Sequence, residues 1–216
     1  MSRTGRVVHA TTFVVTTFAL VLQLALVVRG HAVLDDVEPP ALGTRLVRFF
    51  SYFTILSNLL VAVTTLLLAL DRWQGRVFRV LRLDAISGIT ITAVVHWFLL
   101  RPLLDLHGAD ALADTLLHVV VPALAVGGWL LVGPRGLLGR EDLVPGAIYP
   151  AAYLVWSLLH GAVTDWYPYP FVDVTEHGYA VVLLNAVGVI ALLALVSLGM
   201  IGLDRRLPGG YVQVRR

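Results

Sequence analysis

Three histidines, His96, His118 and His160, sit within long apolar stretches of this chain, each with hydroxyl or amide neighbours at helical spacing. Neutral imidazole serves as a general base, a metal ligand or a haem ligand. The run 50–58 carries Thr54 together with Ser51, Ser57 and Asn58. A hydroxyl beside an imidazole is activated to attack an ester carbonyl, and an amide one turn away can donate to the oxyanion that forms. Thr54, or else Ser51, is the candidate nucleophile on that reading, with a histidine as base and Asn58 as oxyanion donor. The same three imidazoles suit Zn²⁺ with an open fourth position, or a haem held by two of them. No His-x-x-x-His or His-Glu-x-x-His pattern occurs, so the metal alternative rests on scattered ligands. The chain has no Cys, which excludes disulfides and thiolate sites. All sixteen basic residues are Arg, which excludes a lysine Schiff base and a P-loop.

The elements that must position these groups are membrane helices. The chain has 216 residues, 58% apolar and only 14% charged, and a mean hydropathy of +0.83. A soluble domain carries about a quarter charged residues. A bilayer core about 30 Å thick is spanned by roughly 20 apolar residues of helix, and six such stretches are legible: 7–28, 49–70, 85–104, 112–132, 147–163 and 179–203. The fold class expected is therefore all-α, a single domain of six transmembrane helices joined by short Gly-, Pro- and charge-bearing turns. The first stretch follows Arg3 and Arg6, but its apolar run is too long for a secretory signal and no A-x-A site follows, so it counts as a helix of the bundle. A formal net charge of +2 gives no sign of a nucleic-acid partner.

Arginine placement sets the expected orientation. The N-terminus, the second and fourth loops and the C-terminus (Arg205, Arg206, Arg215 and Arg216) hold twelve of the sixteen. By the positive-inside bias, both termini are expected in the cytoplasm. The fifth loop carries Asp165, Asp173 and Glu176 and no Arg, and falls outside. Trp73, Trp129 and Tyr149 then read as anchors at the inner interface, and Trp97, Trp166, Tyr167, Tyr169 and Tyr179 at the outer one.

With orientation assigned, the polar residues gather at one depth. Gln23, Thr54, Ser57, Asn58, His96, His118, His160 and Asn185 all fall roughly 7–15 Å below the outer boundary at 1.5 Å per residue. They also keep to helix faces: Ser51, Thr54, Asn58 and Thr65 on the second helix, and Gly88, Thr92 and His96 on the third. Ala111, Thr115, His118 and Pro122 line up on the fourth, and Tyr149, Tyr153, Trp156, His160 and Thr164 on the fifth. Polar groups in a bilayer point inward and mark functional sites, so these faces should meet in an outer-half pocket. No carboxylate lies mid-span, Asp114 and Asp165 being at the outer ends, which argues against an acid-lined ion path. The 166–171 loop, with two prolines and four aromatics, is read as a cap over the pocket that admits acyl chains sideways, or as a rigid interfacial turn.

Two further classes stay beside the hydrolase and the metal or haem protein: a small transporter and a membrane scaffold subunit. Pro122 and Pro150 are isolated and do not form the paired broken helices of transporter repeats. Arg in place of Lys, with abundant Ala, Val, Leu and Gly, is the composition of a high-G+C genome, which concerns codons and says nothing of mechanism.

Three motifs carry a resemblance. The stretch 153–171 holds Tyr153, Trp156, His160, Thr164, Trp166, Tyr167, Pro168, Tyr169, Pro170 and Phe171; the run 50–58 holds Phe50, Ser51, Tyr52, Phe53, Thr54, Ser57 and Asn58; and Leu117 and His118 precede Pro122. Together they resemble the androgen-induced and androgen-dependent transmembrane proteins, and more closely the small bacterial six-helix proteins grouped with them. The resemblance implies a multi-pass hydrolase with a membrane-embedded Thr nucleophile, a His partner and no cofactor; the animal members cleave fatty-acid esters of hydroxy fatty acids. The family His matches His118. The Thr matches Thr54, with Ser51 as the alternative if the helix is shifted by three residues. The animal proteins carry a His-His pair where this chain has Gly161-Ala162, with His160 one residue earlier, while Ser57, Asn58 and His96 follow the bacterial pattern. The partner the resemblance implies is a membrane lipid or acyl ester, and Trp156, His160, Thr164, Asn185 and Gln23 take supporting or pocket-lining places.

Overall fold

The computed structural model describes residues 1–31 and 39–207, and these are helical with no strand among them. The helices are α1 (Arg3–Val28), α2 (Leu42–Phe50), α3 (Phe53–Ala69), α4 (Gly75–Val95), α5 (Gly108–Thr115), α6 (Val121–Val132), α7 (Leu143–Gly146), α8 (Ile148–Thr164) and α9 (Val174–Arg206). Among the described residues five helical segments are long and apolar enough to cross a membrane, and a sixth is formed if the bent pair α2–α3 is taken as one. Arg215 and Arg216 lie outside the described residues.

Helix α4 is the most buried of the long helices and packs against α3, α6 and α9. Fully buried small and β-branched residues, among them Ala19, Val61, Ala85, Ile89 and Val121, let the backbones approach closely. The outer surfaces are apolar, with Val14, Leu131, Val163 and Leu184 all exposed, as a lipid-facing surface requires. Hydroxyls away from the site satisfy themselves on their own helix: Thr12 Oγ1 donates to Val8 O at 2.9 Å, Thr16 to Thr12 O at 2.7 Å and Ser87 to Leu83 O at 2.7 Å.

Several breaks depart from the straight spans expected. The second span is bent by 66° between α2 and α3. Ser51 caps the end of α2, its Oγ donating back to Val47 O at 2.8 Å while accepting Trp156 Nε1 at 2.9 Å. Ser51 and Thr54 therefore do not share the uninterrupted helical face the spacing predicted. The third helix begins at Gly75 rather than 85, so Asp84 lies within it, and the fourth begins at Gly108 rather than 112, so Asp114 lies towards the end of α5 instead of at the start of the span. After α4 the chain passes through a π-helical turn, His96–Leu100, and α5 and α6 are joined by another, Leu116–Val120. Each is followed within two residues by a proline, Pro102 or Pro122, which has no N–H to give the carbonyl four residues back. The wider turn absorbs that lost bond, and such turns recur at functional sites. Helix α9 starts at Asp173, which accepts Thr175 N and Glu176 N, and it is kinked at Gly178, where φ is 72°.

Four of the aromatic residues read as interfacial anchors are instead buried in protein: Trp129, Trp166, Tyr167 and Tyr169. The loop 165–173 folds back over the bundle and carries three of them inward, whereas Trp97 and Tyr179 stay exposed.

Candidate functional site

One hydrogen-bonded chain of side chains runs across the bundle at the end where α3 starts and α4 finishes. Thr54, at the second position of α3, places Oγ1 3.2 Å from His118 Nε2. The other ring nitrogen, Nδ1, is 3.0 Å from Asp114 Oδ1 and 3.0 Å from the Asp114 backbone carbonyl. Flanked by two oxygen acceptors, Nδ1 must carry the proton, which leaves the lone pair on Nε2 facing the Thr54 hydroxyl. The i,i+4 spacing of Asp114 and His118 sets the pair side by side, one turn apart, across the start of the π turn.

His96 reaches the same carboxylate from α4. Its Nε2 lies 3.3 Å from Asp114 Oδ2, and its ring stacks on that of His118 with centroids 3.9 Å apart and planes 12° from parallel. Its Nδ1 is buried without a hydrogen-bond partner among the described residues. Each histidine lies in a π turn, whose altered register aims both imidazoles at Asp114. Stacked face to face, the two rings leave no gap for a haem plane between them.

Tyr169 completes the surroundings of Thr54. Its Oη accepts the Thr54 backbone N–H at 3.2 Å and lies 3.3 Å from Thr54 Oγ1. Burial pushes the Tyr169 phenol above the ordinary tyrosine range, so it is held as a neutral O–H donor. The ring is wedged edge-on against Tyr52, at 5.7 Å between centroids, and stacked on Phe171 at 5.3 Å. Asn185 Nδ2 donates to Phe171 O at 2.9 Å and ties this loop to α9. The donors then all run one way: Tyr169 O–H to Thr54, Thr54 O–H to His118, His118 N–H to Asp114.

The remaining candidates separate into two groups. Gln23 joins Thr54, His96 and His118 in the wall of a cavity of about 120 Å³. His31, Arg45 and Asp110 also line it, with His31 Nδ1 2.8 Å from Asp110 Oδ2. Arg45 donates to the last carbonyls of α1, Val27 O at 2.7 Å and Val28 O at 3.0 Å. Asn58 lies beneath Thr54, but its amide N–H groups go to Thr54 O at 2.8 Å and Leu117 O at 3.4 Å, so the donor expected at the oxyanion is committed to backbone. Ser57 pairs with Tyr149 Oη at 3.1 Å.

Ser51, Trp156, His160 and Thr164 do not line the cavity. Ser51 is held between Val47 and Trp156. His160 stacks on Trp156 at 5.4 Å and meets the edge of Trp166 at 5.7 Å, while Thr164 is exposed and bonds back to His160 O at 2.8 Å. The third ligand-type side chain beside His96 and His118 is thus Asp114 rather than His160; one ligand atom from each of the three lies within 4.8 Å of the others.

Asp114 and Tyr169 are the two groups sequence reasoning left out of the site. The i,i+4 spacing to His118 was the signal for Asp114, which was set aside because it fell at the outer end of its span. Nothing local signalled Tyr169, which reaches Thr54 across 115 residues of chain. No family model matches this chain, nor does any curated protein or solved structure.

Proposed function

We propose that this chain is an intramembrane hydrolase of lipid esters, with Thr54 as nucleophile, His118 as base and Asp114 as the group that orients the imidazole. The observation that carries this reading is the continuous Thr54–His118–Asp114 hydrogen-bonded chain, the nucleophile–base–orienter arrangement of acyl transfer on unrelated folds. Thr54 Oγ1 adds to the ester carbonyl carbon as its proton passes to His118 Nε2. The Tyr169 O–H, already beside Oγ1, donates to the carbonyl oxygen as it gains negative charge. Collapse breaks the bond to the alkoxy oxygen, which leaves as the alcohol with the proton from His118. Water then attacks the acyl-threonine, again losing its proton to His118, and the fatty acid departs as Thr54 recovers its hydroxyl proton.

The setting proposed for this chemistry is a bacterial inner membrane, crossed six times with α2–α3 as one broken span and both termini cytoplasmic. The support is the arginine distribution and the arrangement of the described chain ends: Gly5 approaches Val132 O, and Leu137 N bonds Asp204, so the start of α1 and the end of α9 lie at one end of the bundle. The likeness to the bacterial branch of the androgen-induced and androgen-dependent family belongs to the same proposal and rests on Thr54 and His118.

The test is labelling of the purified protein by a long-chain alkyl fluorophosphonate, alongside turnover of p-nitrophenyl esters. Labelling is expected to vanish in Thr54→Ala and to survive in Ser51→Ala. Turnover should fall to background in His118→Ala and by roughly 10⁴-fold in Asp114→Asn, which disturbs the tautomer without changing shape. Labelling that persists in Thr54→Ala would overturn the covalent route.

A second reading, metal-assisted hydrolysis, is favoured by the compactness of the His96, Asp114 and His118 set. Two imidazoles and a carboxylate are a Zn²⁺-type donor set with a position left for water. Stoichiometric zinc in the purified protein, with turnover lost to a chelator and restored by zinc, would select this reading over the first.

A further inference from the structure

We infer that the acyl chain of the substrate lies in a second cavity, on the side of Thr54 away from the imidazole cluster, and that it enters there between α8 and α9. The inference rests on the ester-hydrolase reading and assigns each half of the ester a place. This cavity, of about 80 Å³, is bounded by α3, α4, α8, the Pro170–Val172 turn and α9. Thr54, Leu100 and Tyr169 line both cavities, so the nucleophile stands in the partition between them.

The two cavities differ in chemistry. The first is lined by Arg45, Arg48, Asp110, Asp114 and the histidines. Among the described residues no charged side chain lines the second; its polar groups are the hydroxyls of Thr54, Thr92, Tyr153 and Tyr169, and the rest of the wall is apolar. An unbranched hydrocarbon chain loses nothing by entering such a space, whereas a charged or polyhydroxylated head group would leave its hydration unreplaced.

Proton transfer decides which half goes where. The leaving oxygen must take its proton from His118 Nε2, so the alcohol departs on the side that His118 lines, which is the first cavity. The deacylating water must reach the same nitrogen and arrives by the same polar route. The acyl group stays bonded to Thr54 through both steps and is left the opposite side. Pro150 and Leu154 of α8 face Ile190 and Leu193 of α9 across the second cavity, and Ile190 is 49% exposed on the apolar outer surface. A chain arriving from the bilayer thus reaches Thr54 without crossing the charged rim of the first cavity.

The experiment measures chain-length preference and chain location together. Turnover of p-nitrophenyl esters from two to sixteen carbons is compared between the parent and Ala186→Phe, which fills the second cavity from α9, with Val189→Phe as a second variant and melting temperature as the folding check. The ratio of hexadecanoate to acetate turnover is expected to fall at least tenfold in whichever variant melts like the parent. An unchanged ratio in a folded variant would overturn the inference. In parallel, a sixteen-carbon fatty acid with a terminal diazirine is photo-crosslinked to the parent protein and mapped by mass spectrometry. Crosslinks at Leu154, Ile190 or Leu193 are expected; crosslinks confined to Val27 and Leu104 of the first cavity, or to lipid-facing residues such as Leu184, would overturn it. Ester turnover with crosslinks elsewhere removes the acyl site and keeps the hydrolase. Crosslinks in the second cavity without turnover of any ester keep the acyl site and remove the hydrolase.

Discussion

At the scale of single residues, the site depends on one carboxylate shared by two imidazoles and one phenol set against a hydroxyl. Tyr169 is the most informative of these to alter, because removing its hydroxyl changes no packing. Tyr169→Phe is expected to lower kcat on p-nitrophenyl esters by roughly 10²–10³-fold, the usual cost of one lost oxyanion donor, with little change in KM. Its titration also predicts an alkaline limit to stability. Below the ordinary tyrosine value, about 10, the phenol is protonated in the folded and unfolded chains alike and pH has no leverage. Above it the unfolded chain releases the proton while the buried phenol keeps its own, so stability falls as pH rises towards the raised folded value. Thermal melting in detergent between about pH 9 and pH 11 should therefore show a steeper decline for the parent than for Tyr169→Phe.

At the scale of elements, the loop that delivers Tyr169 is seated by a glycine. Gly161 lies on α8 against the ring of Tyr167, and a Cβ there would overlap that ring. Asp165 ends α8 in the left-handed conformation, with φ at 53°, and turns the chain back over the bundle. Gly161→Ala is expected to cost about 1–3 kcal/mol through overpacking and to lower turnover by shifting the loop 165–173. Gly127→Ala is the matched control: it lies mid-helix in α6 with nothing within 4 Å of an added Cβ, and Ala gains up to about 1 kcal/mol there. Chemical or thermal melting, read with ester turnover, separates the two. The π turns belong to this scale as well. Sequence periodicity assumes 3.6 residues per turn throughout, so it assigned His96 and His118 to regular faces and could not show how both are turned onto Asp114.

At the scale of the whole molecule, the site is at one end of the bundle, and a buried carboxylate that ties a loop to α9 is at the other. Asp204 near the end of α9 accepts Leu137 N at 2.8 Å and Leu138 N at 3.0 Å. Its charge also acts on Arg135 and on Arg82, which is 2% exposed. Asp204→Ala leaves two backbone N–H groups without acceptors, about 1–3 kcal/mol for each buried group, and takes the counter-charge from a buried guanidinium. The expected result is a clear drop in melting temperature with Thr54 labelling intact in the fraction that stays folded. A loss of labelling in folded Asp204→Ala would mean that the two ends are coupled.

The amino-acid order alone carried the all-helical, apolar class of the molecule and the placement of Thr54, His96 and His118 towards one end of their helices. Both follow from local quantities, since apolar run length, loop arginines and helical spacing are read within one segment at a time. Thr54, Asn58, His96 and His118 were legible as groups at one level for that reason, and only the tertiary structure brings Thr54 and His118 to 3.2 Å. What it alone decided were relations between segments. His160 shares their depth but stacks on Trp156, on the far side from the cavity, because depth along a helix says nothing about rotation about its axis. Asp114 and Tyr169 looked like boundary residues, and became parts of the site when two π turns brought imidazoles to the first and a loop carried the second inward. A charged or phenolic group at a membrane boundary can face headgroups or a protein interior, and packing across distant segments makes that choice.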